Sequence, residues 1–411
     1  MKVLLSCYAC NPYYGSEPGT GWQFVLNISK HHTVHVIVEE DENKNDILRY
    51  CSQHPEETSN ITFHFIKRKH QPFVYKIWPP SYYWSYRSWQ KKAYKLARQL
   101  DQVENFDLIH QITLIGYREP GYLYKLEKPL IWGPIGGFCQ TDYRLLSGMG
   151  IHSFLYFSMR NILNLFQKRF SEAARNYAKK AHTILVSDPR AIPEIKNLWH
   201  RDSIEMREVG THDNSNSIIK PTIRAPHEPL RICWAGTMIP LKALDILLEA
   251  IAICEAPVHL EVLGKGKKLE AWKRQAVHLK IDHLVTFHGQ LRHSEVEQIM
   301  NKCHVFCITS IKEGGTPTVV MEALQNGLPV ITIDHCGHAS VITETCGFHI
   351  PLNHRKQISK DFARKIDELA ENEELRQTLS IGAIQRSKDF SWSKKMEVLN
   401  TIYTDTTQTI S

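Results

Sequence analysis

The sequence is most informative at first through what it lacks. No stretch reaches the ~18 consecutive apolar residues of a membrane span. The nearest, Ile151 to Phe166, is broken by His152, Ser153, Ser158, Arg160, Asn161 and Asn164. The apolar run ahead of Ser6-Cys7 is too short for the ~7–15-residue core of a signal peptide. Residues 2–8 are therefore expected to form a first β-strand. No second Cys-x-x-Cys joins Cys7-x-x-Cys10, so a four-cysteine zinc set is excluded. Ten cysteines in 411 residues are too sparse for an extracellular disulfide framework. The thiols are expected to be reduced and the chain cytoplasmic. Charge is nearly balanced: Lys plus Arg number 50, Asp plus Glu 43, and the formal net charge is +7. That excess is too small to argue for nucleic-acid binding, and none is expected. It suits a protein that handles anionic small molecules or meets anionic lipid. Internal repeats are absent as well.

What is present fits a globular chain of about two domains. Hydrophobic residues make up 42% and charged residues 23%, too apolar for disorder. Short apolar runs alternate with helix-length segments. The predicted strands are Lys2–Tyr8, Thr33–Val38, Ile61–Ile66, Leu108–Gln111, Leu130–Trp132, Thr183–Val186, Arg231–Trp234, His259–Leu263, Leu284–Phe287, Val305–Ile308 and Pro329–Ile333. Between them lie predicted helices such as Trp22–Lys30, Tyr86–Leu100, Leu241–Cys254, Leu269–His278, Ser294–Lys302 and Pro317–Asn326. This alternation predicts an α/β protein with parallel sheets covered by helices on both faces. It breaks between about Ser187 and Pro229, where Pro189, Pro193, Pro221, Pro226 and Pro229 cluster as in a linker. Two Rossmann-like domains follow, at 1–218 and 219–388, with a last helix in 389–411. In open α/β sheets ligands bind at the carboxyl ends of the strands, so function is sought in the loops after them.

The richest such loop runs Ser310-Ile-Lys-Glu-Gly-Gly-Thr-Pro-Thr-Val-Val-Met-Glu-Ala-Leu-Gln-Asn-Gly-Leu-Pro-Val330. Thr316 is the expected N-cap and Pro317 the expected first helical residue. Gly327 suits the end of the helix, and Pro329 prevents its continuation. Gly314-Gly315 lets backbone N–H groups approach a ligand at the positive helix end, which favours a phosphate or a polar sugar. Glu313 in the loop and Glu322 in the helix can accept hydrogen bonds from several hydroxyls. A second loop, Gly236-Thr-Met-Ile-Pro-Leu-Lys242-Ala243, places Lys242 in the expected first turn of a helix. A cation there opposes the helix dipole, which makes sense if it meets an anion drawn to the same end. Gly264-Lys-Gly266 follows a strand too, but Leu269 stands where a dinucleotide fingerprint needs glycine. His110 ends a predicted strand, a position open either to cleft-facing chemistry or to a core histidine. Gly15, Gly19 and Gly21 follow the first strand and permit close backbone approach to a ligand.

Together these segments resemble the retaining glycosyltransferases of the GT-B fold, family four. The match is best at Glu322-Ala323 and Gly327-Leu-Pro-Val330. Eight residues separate Glu313 from Glu322, one more than in the family pattern. Lys242 matches the family's diphosphate-binding lysine, but Thr237 replaces its arginine partner and Ala243 the following glycine. The resemblance implies two Rossmann-like domains facing a central cleft, acceptor in the first and donor in the second. The last helix would pack back on the first domain. It implies transfer of a sugar from a nucleotide-diphospho-sugar to a hydroxyl with retention, with no metal and no separate cofactor. The implied catalytic residues are His110, Lys242 and Glu313. The implied donor contacts are Gly15, Thr237, Gly264, Gly289, Gln290, Leu291, Gly314, Gly315, Thr316, Thr318 and Glu322. Gly210-Thr-His-Asp213 resembles the family's segment at the domain junction. Alternatives are a GT-B sugar-nucleotide epimerase and a non-catalytic sugar-nucleotide-binding scaffold.

Two stretches interleave basic and aromatic residues: Pro72 through Arg98, with Trp78, Tyr82, Tyr83, Trp84, Tyr86 and Trp89, and Phe154 through Lys180. This composition suits a membrane interface. It also fits a part-buried helix with a solvated basic face. The expected partners are a nucleotide sugar, a glycan or lipid-linked acceptor, and the inner face of the plasma membrane. The expected role is cell-surface polysaccharide or glycolipid assembly.

Overall fold

In the computed structural model the described residues are 1–68, 82–146, 149–213 and 221–408. They form two compact units: Met1–Phe138 with Leu165–Glu208 and Trp392–Ser411, and Cys139–Asn164 with Val209–Ser391. The boundary thus falls at 208/209 rather than 218/219, and a short internal segment belongs to the second unit.

The first unit holds seven parallel strands in the order Ile61–Ile66, Thr33–Glu39, Lys2–Cys7, Leu108–Thr113, Leu130–Ile135, Thr183–Val186, Ile204–Glu205. Its interior strand Lys2–Cys7 places apolar residues on both faces. Val3, Leu5 and Cys7 point into one core cluster, and Leu4 points into another. That is the signature of a parallel sheet covered on both sides. The C-terminal helix Trp392–Gln408 adds Trp392, Met396, Leu399, Ile402 and Tyr403 to the cluster around Val3 and Leu5.

The second unit holds six parallel strands in the order Val285–Gly289, Val258–Leu263, Leu230–Ala235, Val305–Ile308, Val330–Ile333, Gly347–Ile350. Val305 and Cys307 pack on one face, Phe306 and Ile308 on the other. The expected α/β doubly wound class is therefore observed in each unit.

Three expectations need correction. The stretch read as a linker contains helix Ile192–Trp199 and strand Ile204–Glu205. Its prolines Pro189 and Pro193 start helical turns, where a missing N–H costs nothing. The predicted helix Leu241–Cys254 is two pieces, a 3₁₀ turn at Pro240–Lys242 and an α-helix at Leu244–Ile251. Ala243, left-handed at φ 44° and ψ 43°, separates them. Lys242 therefore does not sit in the α-helix's first turn. Finally, helix Thr318–Gln325 begins one residue later than expected. Pro317 takes the N-cap with an extended ψ of 133°, and Thr316 is buried ahead of it.

Candidate functional site

In the second unit, three loops at the carboxyl ends of neighbouring strands are knitted by their backbones. Gly236 N–H donates to Leu263 O at 3.0 Å, Met238 N–H to Lys265 O at 2.9 Å, and Gly264 N–H to Gly289 O at 2.8 Å. Gly264 is needed for this. Its φ is +128°, and a Cβ there would lie 2.1 Å from Gly236 O. The glycine predicted to approach a ligand thus has its close approach to the neighbouring loop. Thr237 stands exposed on the knitted loop beside it, as does Gln290 after the next strand; Gly289 and Leu291 are half-buried.

Lys242 and Glu313, far apart in sequence, meet within this unit. Lys242 Nζ lies 2.5 Å from Glu313 Oε1, with the two side chains 18% and 14% exposed. The turn carrying Lys242 is fixed from below. Thr309 Oγ1 donates to Lys242 O at 2.8 Å and accepts from Trp234 Nε1 at 3.1 Å, while Ile311 N–H donates to Leu241 O at 2.9 Å. The result is a part-buried ion pair on a braced turn. An incoming diphosphate can take over the lysine, and the carboxylate is then free to accept from hydroxyls. Gly314 is exposed beside the pair; Gly315 and Thr316 are buried, so of these three only Gly314 is open to a ligand.

Glu322 lines a cavity of about 340 Å³ with Thr318, His293, Glu297, Gly210 and His212. The His293 ring nitrogen is 3.6 Å from its carboxylate. Burial pushes the Glu322 carboxyl above its ordinary value; the His293 ring opposes this, and the like charge of Glu297 adds to it. Gln325 Nε2 donates to His212 O at 3.1 Å, which ties the 210–213 segment to the same wall. His293 and Glu297 are not among the residues singled out from sequence. Their four-residue spacing on helix His293–Met300, just after the Gly289–Leu291 loop, is the signal that could have found them.

The two first-unit candidates behave differently. His110 is fully buried. Its Nε2 donates to Gly133 O at 2.7 Å and its Nδ1 accepts from the Tyr403 hydroxyl at 2.7 Å. Burial pushes the ring's pKa down to about 4, so it is neutral. This corrects the donor-sugar expectation: His110 is a core histidine that fastens the C-terminal helix to the sheet. Gly15 is exposed at the start of helix Ser16–Ser29, and a Cβ added there would meet nothing within 4 Å. The close approaches belong to its neighbours: a Cβ on Gly19 would meet Tyr14 O at 2.5 Å, and one on Gly21 would meet Ala9 O at 2.1 Å.

The cysteines also depart from expectation. Cys139 and Cys336 form a disulfide in the second unit, and eight others are free. Cys7 and Cys10 are buried free thiols with pKa values raised by burial. His335 lies beside the disulfide, but its Nε2 is 2.8 Å from Gln140 O. With both sulfurs bonded and that nitrogen engaged, the trio does not present a ligand set to an ion.

Comparison with known proteins gives this geometry its context. The family pattern of Glycosyl transferases group 1 matches residues 216–386. That segment is a glycosyl transferases group 1 domain. An uncharacterized glycosyltransferase of Methanocaldococcus jannaschii is 29% identical over 170 residues, 41% of this chain and 46% of its own length. A D-inositol 3-phosphate glycosyltransferase of Stackebrandtia nassauensis is 28% identical over 195 residues, 44% of this chain and 43% of its own. The matched segments thus span about half the length of these relatives. Among solved structures, Anabaena HepE in complex with UDP superposes with a TM-score of 0.62 at 16% identity, covering 98% of this chain and 99% of its own. The chain has the α/β architecture of GT-B glycosyltransferases.

Proposed function

We propose that this glycosyltransferase moves a sugar from a nucleotide-diphospho-sugar to an acceptor hydroxyl with retention of anomeric configuration. The observation that carries this reading is the braced Lys242–Glu313 pair, set in the same unit as the Glu322 cavity. Lys242 supplies the charge that stabilises the departing diphosphate. Glu313, released from Lys242, accepts hydrogen bonds from the donor sugar. Glu322 accepts from the ribose hydroxyls. The leaving phosphate takes the acceptor's proton, so no strong protein base is needed. With Thr237 in place of an arginine, Lys242 carries more of the diphosphate's charge than it would in a pair. The structure of HepE with UDP supports a nucleoside diphosphate as the first probe. The acceptor is a glycan or a lipid-linked glycan, as in polysaccharide or glycolipid assembly.

Thermal shifts with UDP, GDP, ADP and their sugars test the donor half. A ligand at ~100 times its dissociation constant adds about 2.7 kcal/mol of stability. One nucleoside diphosphate should stabilise the protein, and Glu322→Ala and Lys242→Ala should each reduce the shift. No shift with any of them would favour the scaffold reading. Retention is read from the anomeric coupling of the product by proton NMR; an inverted product would refute it.

A further inference from the structure

The first unit holds a cavity of about 490 Å³ whose lining residues all belong to that unit. Its size is ordinary for a small-molecule site. None of the residues expected from sequence to bind the donor lines it. Its walls are the flank of helix Tyr82–Glu104, the junction of helices Ile151–Phe170 and Glu172–Lys180, and residues 118–122. The last belong to the connector that returns the chain from strand Leu108–Thr113 to strand Leu130–Ile135. Gln90 stands in this wall and is only 1% exposed. Its Nε2 donates to the Tyr86 hydroxyl, while Oε1 has no partner among the described residues. Turning the amide over would only exchange the two ends. Buried polar groups are nearly always partnered, so an exception in a cavity wall points to a ligand. Gly121 lets the chain pass against this amide: its φ is +86°, and a Cβ there would lie 2.5 Å from Gln90 Oε1.

The rest of the lining says what kind of ligand fits. Arg87 forks onto the Glu119 carboxylate through Nε, at 3.0 Å, and Nη2. Arg118 Nε donates to Gln167 Oε1 at 2.7 Å, and its guanidinium lies 4.8 Å over the Tyr117 ring. Both guanidinium groups are already engaged by fixed acceptors, which disfavours a bare anion as the occupant. Planar donors and acceptors alternate around the space, and Tyr122, Phe166 and Phe170 add aromatic surface. Phe166 and Phe170 are each more than half exposed, with ring centroids 4.8 Å apart. A purely apolar ligand would leave Gln90 unpartnered. A hydroxyl both donates and accepts, so it satisfies either end of that amide. A sugar ring carries several hydroxyls at its edge and a C–H face that packs on aromatic rings.

We propose that this cavity binds a saccharide, at a site that shares no residue with the Lys242, Glu313 and Glu322 site. The inference goes beyond sugar transfer and does not rest on it. The full chain is applied to an array of immobilised hexose and uronic-acid oligosaccharides, and the tightest-bound one is then titrated calorimetrically. Wild type should bind, and saturating UDP should not displace the glycan. Gln90→Leu, which nearly keeps the side chain's volume, should weaken binding at least about tenfold. Phe166→Ala should weaken it about threefold or more. The Phe166 side chain is mostly solvated, so the test survives if Gln90→Leu does not fold. Both variants should keep the UDP thermal shift. The inference fails if wild type binds no glycan, or if either folded variant binds as wild type does. It also fails if UDP displaces the glycan, which would put the glycan in the donor site. A missing UDP shift beside intact glycan binding would count against the transfer reading alone.

Discussion

The carboxyl ends of the two sheets make an instructive contrast. Both end in loops rich in glycine, but the titratable candidates sit differently: one lies inside strand Leu108–Thr113, three residues before its end, and the others lie in loops beyond Ala235 and Ile308. The in-strand residue of the first unit, His110, is sealed between Gly133 O and the Tyr403 hydroxyl with no exposed surface. In the second, Lys242 and Glu313 keep part of their surface and pair with each other, and Glu322 borders a cavity. Place along the chain sets where a side chain starts. What packs over it decides whether it can do chemistry. Over His110 lies a helix from the far end of the chain. Beside the Lys242 ammonium lies the Glu313 carboxylate, with which a second anion can compete.

The largest effect that would sharpen this contrast is on transfer. Lys242→Ala should cost ~10²–10³ in turnover, as for removal of one charge-stabilising donor, without loss of fold, because the side chain is not in the core. Lys242→Arg should recover part of it. Initial rates together with a melting curve check both. Next is His110→Ala, expected to destabilise by roughly 3 kcal/mol from lost packing and a stranded Gly133 carbonyl. Nucleotide affinity should not change. A normal melting curve with weakened nucleotide binding would reverse the reading of this residue. Stability should also fall on acidification. Below its ordinary pKa the unfolded His110 takes a proton that the folded one refuses until about 4, so the loss develops between those values as pH drops.

Glu322→Gln should weaken nucleotide-sugar binding by about 1.5–3 kcal/mol, since hydrogen bonds to a charged acceptor are lost. Because its carboxyl is held above its ordinary value, wild-type affinity should decline on acidification through that raised value. The variant's affinity should stay flat, and titration calorimetry across pH would show it. The smallest effect concerns Ala243, left-handed at φ 44° where the resemblance has glycine. Ala243→Gly should raise stability by about 1 kcal/mol, read by denaturant unfolding.

The sheets are legible in the sequence, because fully buried parallel strands leave short apolar runs bounded by helix-length segments. Strands Thr183–Val186 and Val305–Ile308 agree with their predicted limits to the residue. Strand Gly347–Ile350, half apolar and starting on glycine, leaves too weak a run to be seen. The break at Ala243 is hidden because alanine otherwise signals an unbroken helix. At the site, residue type and spacing point to the acidic and basic groups but not to their pairing. The Lys242–Glu313 contact spans 71 positions, and the bond between His110 and Tyr403 spans 293. The Cys139–Cys336 bridge spans 197. Such contacts depend on which loops and helices close over a strand end, and no local pattern records that. Of the first basic–aromatic stretch, residues 72–81 lie outside the described residues. In the rest of it Tyr86 and Trp89 are buried, which favours the part-buried helix there.

The central claim is that Lys242 is an anion site held in reserve by Glu313. Titration of UDP into wild type, Lys242→Ala and Glu313→Gln tests it most directly. The account predicts that Lys242→Ala binds UDP more weakly. It also predicts that Glu313→Gln, with the lysine released, binds bare UDP at least as tightly as wild type yet transfers sugar more slowly. Equal UDP affinity in wild type and Lys242→Ala would contradict it.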